Sequence, residues 1–360
     1  MIVAIILSSV LCALVLVLGL VLPAINSPTV PFGVRVPERN AHDPAVVRQT
    51  RVYRRRVLLG GMAAVAIGVV LFVLTGDAVL LPVTVLLLVG VWYGCFFLAN
   101  HELRAAKATG GWYEGVRQGA AVDTALRTDP PRIPWLWLAP AVIITLATAV
   151  IGIVLYPSMP ETLVVHYANG TPDRTAAKSV GTVFSLVFVQ AGVTVLLAGI
   201  AAGIVLRSNA DLDPAHPADS ARWHRQYVSL GARALLGLVA MIDLGMLGSS
   251  LLMWTGTVAS WAPLVVVIPI LVGVVVAVVV LARSNHARDQ SGEDTGLTHR
   301  DDDRYWRGGL FYVNRDDCSL FVPRRFGLGW TLNFGNPRVA ILFVAVLALI
   351  GLAITLRHAG

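Results

Sequence analysis

The chain has 360 residues, 56% of them hydrophobic and only 14% charged, whereas soluble domains carry roughly 45–50% and about 25%. That balance excludes an ordinary pair of soluble domains, provided the apolar residues come in runs of about 20, the length that crosses a bilayer as a helix. Arginine outnumbers lysine 26 to 2, which reads as the codon bias of a high-GC bacterial genome, and the net charge of +7 is accounted for by membrane topology, so no direct nucleic-acid binding is expected.

Eight apolar runs follow in chain order: residues 2–22, 57–75, 78–100, 135–156, 180–206, 234–254, 262–282 and 339–356. Each predicts a transmembrane helix, because lipid offers no partner for an unpaired backbone and the alternation of a barrel strand is absent. The first lacks the basic leader of a cleaved signal peptide and reads as a retained span. Gly76 and Asp77 alone join the second and third into a tight hairpin. Trp135, Trp137, Tyr156, Trp254 and Trp261 stand where interfacial aromatic belts are expected. Gly90 with Gly94, Gly199 with Gly203, and Gly245 with Ser249 have the small-residue spacing of close helix contacts.

The connecting segments alternate in charge. Before the second span, after the third, between the fifth and sixth, and before the last lie 25 of the 28 lysines and arginines; the other face holds only Arg174, Lys178 and Arg357. Basic loops stay cytoplasmic, so both termini are expected outside the inner membrane of a bacterial cell.

Four polar regions separate the spans. Residues 23–56, rich in proline and arginine, are expected along the inner leaflet. Residues 101–134 predict an extension of the third span broken at Gly110 and Gly111, then either a short interfacial helix over 112–127 or a solvated linker. In the external loop 157–179, the run from Leu163 to Tyr167 is β-prone, Asn169-Gly170 is a turn signal, and Thr171-Pro172 has the form of a helix N-cap followed by proline. Residues 291–303, with Asp301, Asp302 and Asp303, read as an acidic linker. The aromatic, β-prone segments after it predict a small cytoplasmic hairpin domain, too small to bury a core alone and so packed on the bundle or on a partner. The fold class is thus an all-α integral membrane protein of about eight transmembrane helices, with a β-hairpin-rich cytoplasmic domain before the last one. The chain divides into a membrane region 1–134, a second region 135–206 holding the external loop, a helix pair 207–283, the β-rich domain 300–337, and a last helix 338–360.

Two stretches resemble known families. Tyr156-Pro157, Leu163, His166-Tyr167, Gly170, Pro172-Asp173 and Lys178, within 135–206, look like the domain of unknown function at the front of the SdpI bacterial immunity proteins. Asp301-Asp302-Asp303, Trp306, Gly309, Phe311-Tyr312, Asn314, Asp317, Phe321-Val322-Pro323, Arg325-Phe326-Gly327 and Gly329-Trp330-Thr331-Leu332-Asn333 are similar to a second bacterial domain of unknown function. The first resemblance implies immunity to a secreted toxin and relay of its presence to a cytoplasmic protein; the extra spans and the added hairpin domain depart from it.

The candidate site residues fall in three places. Asp243, mid-span in the sixth helix, and Gln190 at similar depth in the fifth can hydrogen-bond; the pair reads either as a proton or substrate site or as a structural clamp on a protonated acid. His166, Asp173 and Lys178 are ligand candidates on the external loop, for an extracellular peptide or toxin, against the alternative of a histidine tying down its own loop; two ligands are too few for zinc. Trp306, Tyr312, Arg324, Arg325 and Trp330 are candidates for a cytoplasmic protein partner. Cys12, Cys95 and Cys318 lack metal-ligand spacing and read as packing residues. No Walker loop, HExxH, GxSxG or dinucleotide fingerprint is present, so neither an enzyme nor a cofactor is expected. The leading expectation is an immunity-type or signal-sensing membrane protein; the alternatives are a transporter, or a subunit of one, using Asp243, and a structural envelope component.

Overall fold

A computed structural model describes residues 2–77, 79–119, 130–168, 171–208, 210–259, 261–286, 297–325 and 329–358. Among them, seven helices are long and apolar enough to cross a membrane, which marks the chain as a multi-pass membrane protein. They are α1 (Ile2–Ile25), α2 (Pro44–Thr75), α3 (Leu80–Thr109), α4 (Ala139–Leu155), α5 (Val180–Arg207), α6 (Pro217–Trp254) and α7 (Ala262–His286). An eighth apolar helix, α8 (Val339–His358), shows a shorter apolar stretch among its described residues, Val339–Leu352. The count of spans carried by the described residues is therefore seven rather than eight.

The chain folds into two compact units. The first comprises Met1–Pro130, Ser208–Tyr227 and Ala282–Asn336; the second comprises Pro131–Arg207, Val228–Leu281 and Pro337–Gly360.

In the first unit, α1, α2 and α3 pack together around Tyr53, Val57, Phe96 and Leu103, all fully buried. The Tyr53 hydroxyl donates to the Gly19 carbonyl of α1 at 3.0 Å and accepts from Trp92 Nε1 of α3 at 2.6 Å, so one polar atom ties three helices. Asp43 caps α2 by accepting from the Ala45 N–H at 2.8 Å, with Pro44 at the first helical position. Gly76, at φ 68°, ends it in the left-handed conformation that an αL cap requires. α2 packs closely on α3 at Gly68, where a Cβ would overlap the Thr84 side chain. The small-residue spacing marks a close crossing at Gly245 in the second unit, where a Cβ would lie 3.0 Å from Val266 Cα of α7; the space beside Gly90, Gly94 and Gly199 is open.

The remainder of the first unit is built from short strand pairs. β1 (Arg117–Gly119) pairs in parallel with β4 (Leu297–His299). Of the two readings of 112–127, the interfacial helix is absent from the described part, which is a turn leading into β1; residues 120–129 lie outside the described residues. Small strand pairs form where β-prone segments are expected: β5 (Trp306–Arg307) pairs with β6 (Phe311–Tyr312) and β7 (Phe321–Pro323) with β8 (Trp330–Leu332), both antiparallel, and a bridge from Tyr312 to Asn333 joins the hairpins into a β-rich lobe. Residues 326–328 lie outside the described residues. This lobe packs on the membrane helices of its own unit. The seam is a Phe32-Gly33 bend, with φ 49° and 74°, whose Gly33 meets the Gly309 backbone so closely that a Cβ would collide with it. Asn100 of α3 donates to the Phe32 carbonyl at 2.7 Å and fixes the bend.

In the second unit, β2 (Thr162–Ala168) and β3 (Thr171–Ala177) form an antiparallel hairpin between α4 and α5, with Leu163 opposite Ala176 and His166 opposite Arg174. The β-prone run is thus a strand, as expected, and the Asn169-Gly170 turn lies outside the described residues. The N-cap reading of Thr171-Pro172 fails: both residues are in β3, and α5 starts eight residues later with Ser179 Oγ accepting from the Thr182 N–H at 3.1 Å. Strand pairing overrode a local signal that was sound by itself. Beneath the hairpin, Leu163, Val183 and Trp254 form a core, and Trp254 Nε1 donates to the Val183 carbonyl at 3.0 Å.

Candidate functional site

Three constellations carry the chemistry. The first lies in the membrane helices of the second unit. Asp243 and Gln190 are both 0% exposed. Gln190 Nε2 donates to the Asp243 backbone carbonyl at 3.0 Å, so the expected pairing runs to the main chain and not to the carboxylate. The carboxylate's Oδ2 instead accepts from the hydroxyls of Thr194 at 2.9 Å and Thr145 at 3.4 Å. Two acceptors of the cluster, Asp243 Oδ1 and Gln190 Oε1, have no hydrogen-bond partner among the described residues. No described cation pairs with this acid. The threonines were legible only as polar residues in apolar runs, and threonine in a helix commonly bonds its own backbone, as Thr145 also does to the Ala141 carbonyl at 3.0 Å.

The second constellation is the β2–β3 hairpin. His166 Nδ1 lies 2.6 Å from Asp173 Oδ1, with the two side chains 43% and 35% exposed. The shift in strand register around His166 accommodates that pairing, as bulges re-aim side chains. The hydrogen bond from His166 holds the Asp173 carboxyl below its ordinary range. The histidine therefore ties the loop through a side chain, not through backbone. Lys178, the third expected residue, is not with them: its ammonium donates to the Met159 carbonyl at 3.2 Å and lies 5.2 Å from the Tyr156 ring centre, anchoring the base of the hairpin.

The third constellation was missed in the sequence. Asp301, Asp302 and Asp303 are not a solvated linker but the centre of an ion-pair node in the first unit. Asp303 is 9% exposed. Its carboxylate accepts from Arg325, from Lys107 Nζ at 2.7 Å and from the Arg35 backbone N–H at 3.0 Å. Arg325 also binds Asp302 and the Gly33 carbonyl. Lys107 reaches Asp301 at 2.8 Å, and Arg35 reaches Asp211 at 2.6 Å. Arg35 Nε sits 2.8 Å from Asp302 Oδ1, close enough for charge attraction though off the hydrogen-bond axis. Burial pushes the Asp303 carboxyl up, but Arg325, Lys107 and the Arg35 N–H outweigh it and hold it below the ordinary range. Arg35 is itself buried, at 5% exposed.

Three of the five residues expected to face a protein partner are spent inside the lobe, Arg325 on the node itself. Trp306, Tyr312 and Arg325 are buried, at 3%, 6% and 6% exposed. Trp330 is half-buried, its ring 5.1 Å from that of Tyr227. Arg324 alone is exposed, held through Nε to the Trp330 carbonyl at 3.0 Å. Among the cysteines, Cys12 and Cys95 are buried in helices as packing residues, whereas Cys318 is exposed.

Comparison with family models finds two matches. Residues 143–191, from α4 through the β2–β3 hairpin into α5, match the domain of unknown function DUF1648. Residues 315–339, covering β7 and β8, match the family of unknown function DUF5808. No curated protein matches the chain. No solved structure matches it either.

Proposed function

We propose that this chain is a signal-sensing or immunity-type protein of the bacterial inner membrane, related in role to the SdpI proteins and without catalytic chemistry. The observation that carries this reading is the match of DUF1648, the domain found at the front of SdpI-type proteins, to the span–hairpin–span segment bearing His166 and Asp173. The lopsided arginine distribution supports an external hairpin, a cytoplasmic β-rich lobe, and both termini outside. On this reading, a secreted peptide or toxin meets the half-exposed His166–Asp173 pair, and a cytoplasmic protein receives the response. The test is survival of cells expressing wild type or the His166→Ala/Asp173→Ala double variant, challenged with the secreted peptide fraction of competing strains. Wild type should raise survival at least tenfold and the double variant should lose that gain. Equal survival with and without the wild-type protein sinks the reading.

The geometry of Asp243 favours a second reading, a transporter or transporter subunit. An intramembrane acid bound by two hydroxyls, with one oxygen unpartnered, is a place to load a proton or a small cation. Proteoliposomes holding wild type and Asp243→Asn, given a proton or sodium gradient, decide it: equal flux in both removes this role.

A further inference from the structure

The apolar wall of α3 and the β-rich lobe meet in a groove of about 270 Å³, lined by Tyr93 and Phe97 of α3, Leu310 and Phe311, and Arg324 with Arg325. Among the described residues, no carboxylate lines it. Tyr93, Phe97 and Phe311 are 37%, 42% and 48% exposed. Arg104, two turns beyond Phe97, already hydrogen-bonds to the polar lobe, through the Trp306 carbonyl at 2.8 Å. The groove therefore stands where a membrane helix passes from hydrocarbon into polar surroundings, the depth at which phospholipid headgroups lie.

The two arginines differ in what they can still bind. Arg325 is spent on Asp302, Asp303 and the Gly33 carbonyl. Arg324 is exposed, fixed through Nε to the Trp330 carbonyl, and its terminal nitrogens meet no carboxylate among the described residues. A guanidinium anchored in that way presents a fork suited to two phosphate oxygens. Any lipid chain can cover the aromatic wall; the unpaired cation at its end selects for a negative headgroup.

We propose that this groove is a binding site for an anionic phospholipid, with an acyl chain along Tyr93, Phe97 and Phe311 and the headgroup phosphate on Arg324. The site is separate from the hairpin and from Asp243, so it stands whether or not the sensing reading does. Purified full-length protein in neutral detergent is unfolded thermally with phosphatidylglycerol, phosphatidylcholine or inorganic phosphate added. Phosphatidylglycerol should raise the midpoint by about 3 °C more than phosphatidylcholine. Arg324→Gln should abolish the difference, and Arg324→Lys should keep part of it. Should Arg324→Gln weaken the lobe by freeing Trp330, Phe311→Gln decides, since it keeps the charge and should halve the shift that phosphatidylglycerol gives. Equal shifts from both lipids, a full difference in Arg324→Gln, or an undiminished phosphatidylglycerol shift in Phe311→Gln overturns the proposal. An equal shift from inorganic phosphate also overturns it, leaving a simple anion site with no role for the groove.

Discussion

Two buried aspartates of this protein solve the same problem in opposite ways. Asp303 stands among Arg325, Lys107 and Arg35, and its charge is matched by charge. Asp243 stands in the membrane helices among Thr194, Thr145 and Gln190, and what surrounds its carboxylate is neutral. Burying an ion costs several kcal/mol unless partners replace its water, so the first arrangement fixes an ionised carboxylate and acts as a lock. The second supplies two hydroxyl donors and no counter-charge, which suits a group whose proton or cation can change. A buried carboxylate is thus structural or exchangeable according to the company that the fold gives it.

The sharpest way to break this contrast is to remove a cation from the lock. Arg325→Ala takes from Asp302 and Asp303 the buried cation they share, leaving them only Arg35 and Lys107, and is expected to cost about 3–5 kcal/mol. The check is denaturant unfolding of the detergent-solubilised full chain; a cost under about 1 kcal/mol would mean that the node is solvated. Replacing Arg325 by Met together with Asp302→Asn and Asp303→Asn should recover much of the loss, because apolar or neutral substitutes no longer strand a charge.

A milder probe is acid. The folded-state affinity of Asp303 for its proton is held below the ordinary carboxylate value of about 3.9. Its contribution is therefore fully present above that value and is lost as pH falls through the lower folded-state one. Susceptibility of the β-rich lobe to an acid-active protease should rise below about pH 4 and stay flat between pH 5 and 8. A rise centred near neutrality would point to histidines instead.

The smallest effect is expected at the other aspartate. Asn in place of Asp243 keeps an oxygen for Thr194 and Thr145, so stability should change by only about 0.6 kcal/mol, the average for a hydrogen bond between membrane helices. Unfolding in mixed micelles measures it. A loss as large as that of Arg325→Ala would show that the carboxylate is held ionised after all, and the two regions would then be alike.

Much of the membrane architecture was legible in the sequence because hydrophobic runs and turn glycines are local signals: Gly76 and Gly110 end their helices where expected. Strand β2 and the β-prone segments of the lobe were legible for the same reason, whereas β3 was not. What was not legible depends on residues distant in the chain. Asp303 meets Lys107 and Arg35 across 196 and 268 positions, and no local pattern announces such a meeting, so three acids in a row read as a solvated linker. Tyr312 and Trp306 looked like binding aromatics, yet the lobe needs them as its own core. Thr171-Pro172 carried a genuine helix-start pattern and lost to the ladder formed with Ala168 and Tyr167.

The distribution of thiols gives the molecule a reporter of its own. Cys12 and Cys95 are enclosed by packed helices, while Cys318 is open between β6 and β7. A maleimide that cannot permeate the bilayer, applied to intact cells and then to inverted vesicles, should therefore modify one position of the native polypeptide. Which preparation takes up the label tells on which face of the membrane the β-rich lobe resides, with no tag or engineered cysteine required.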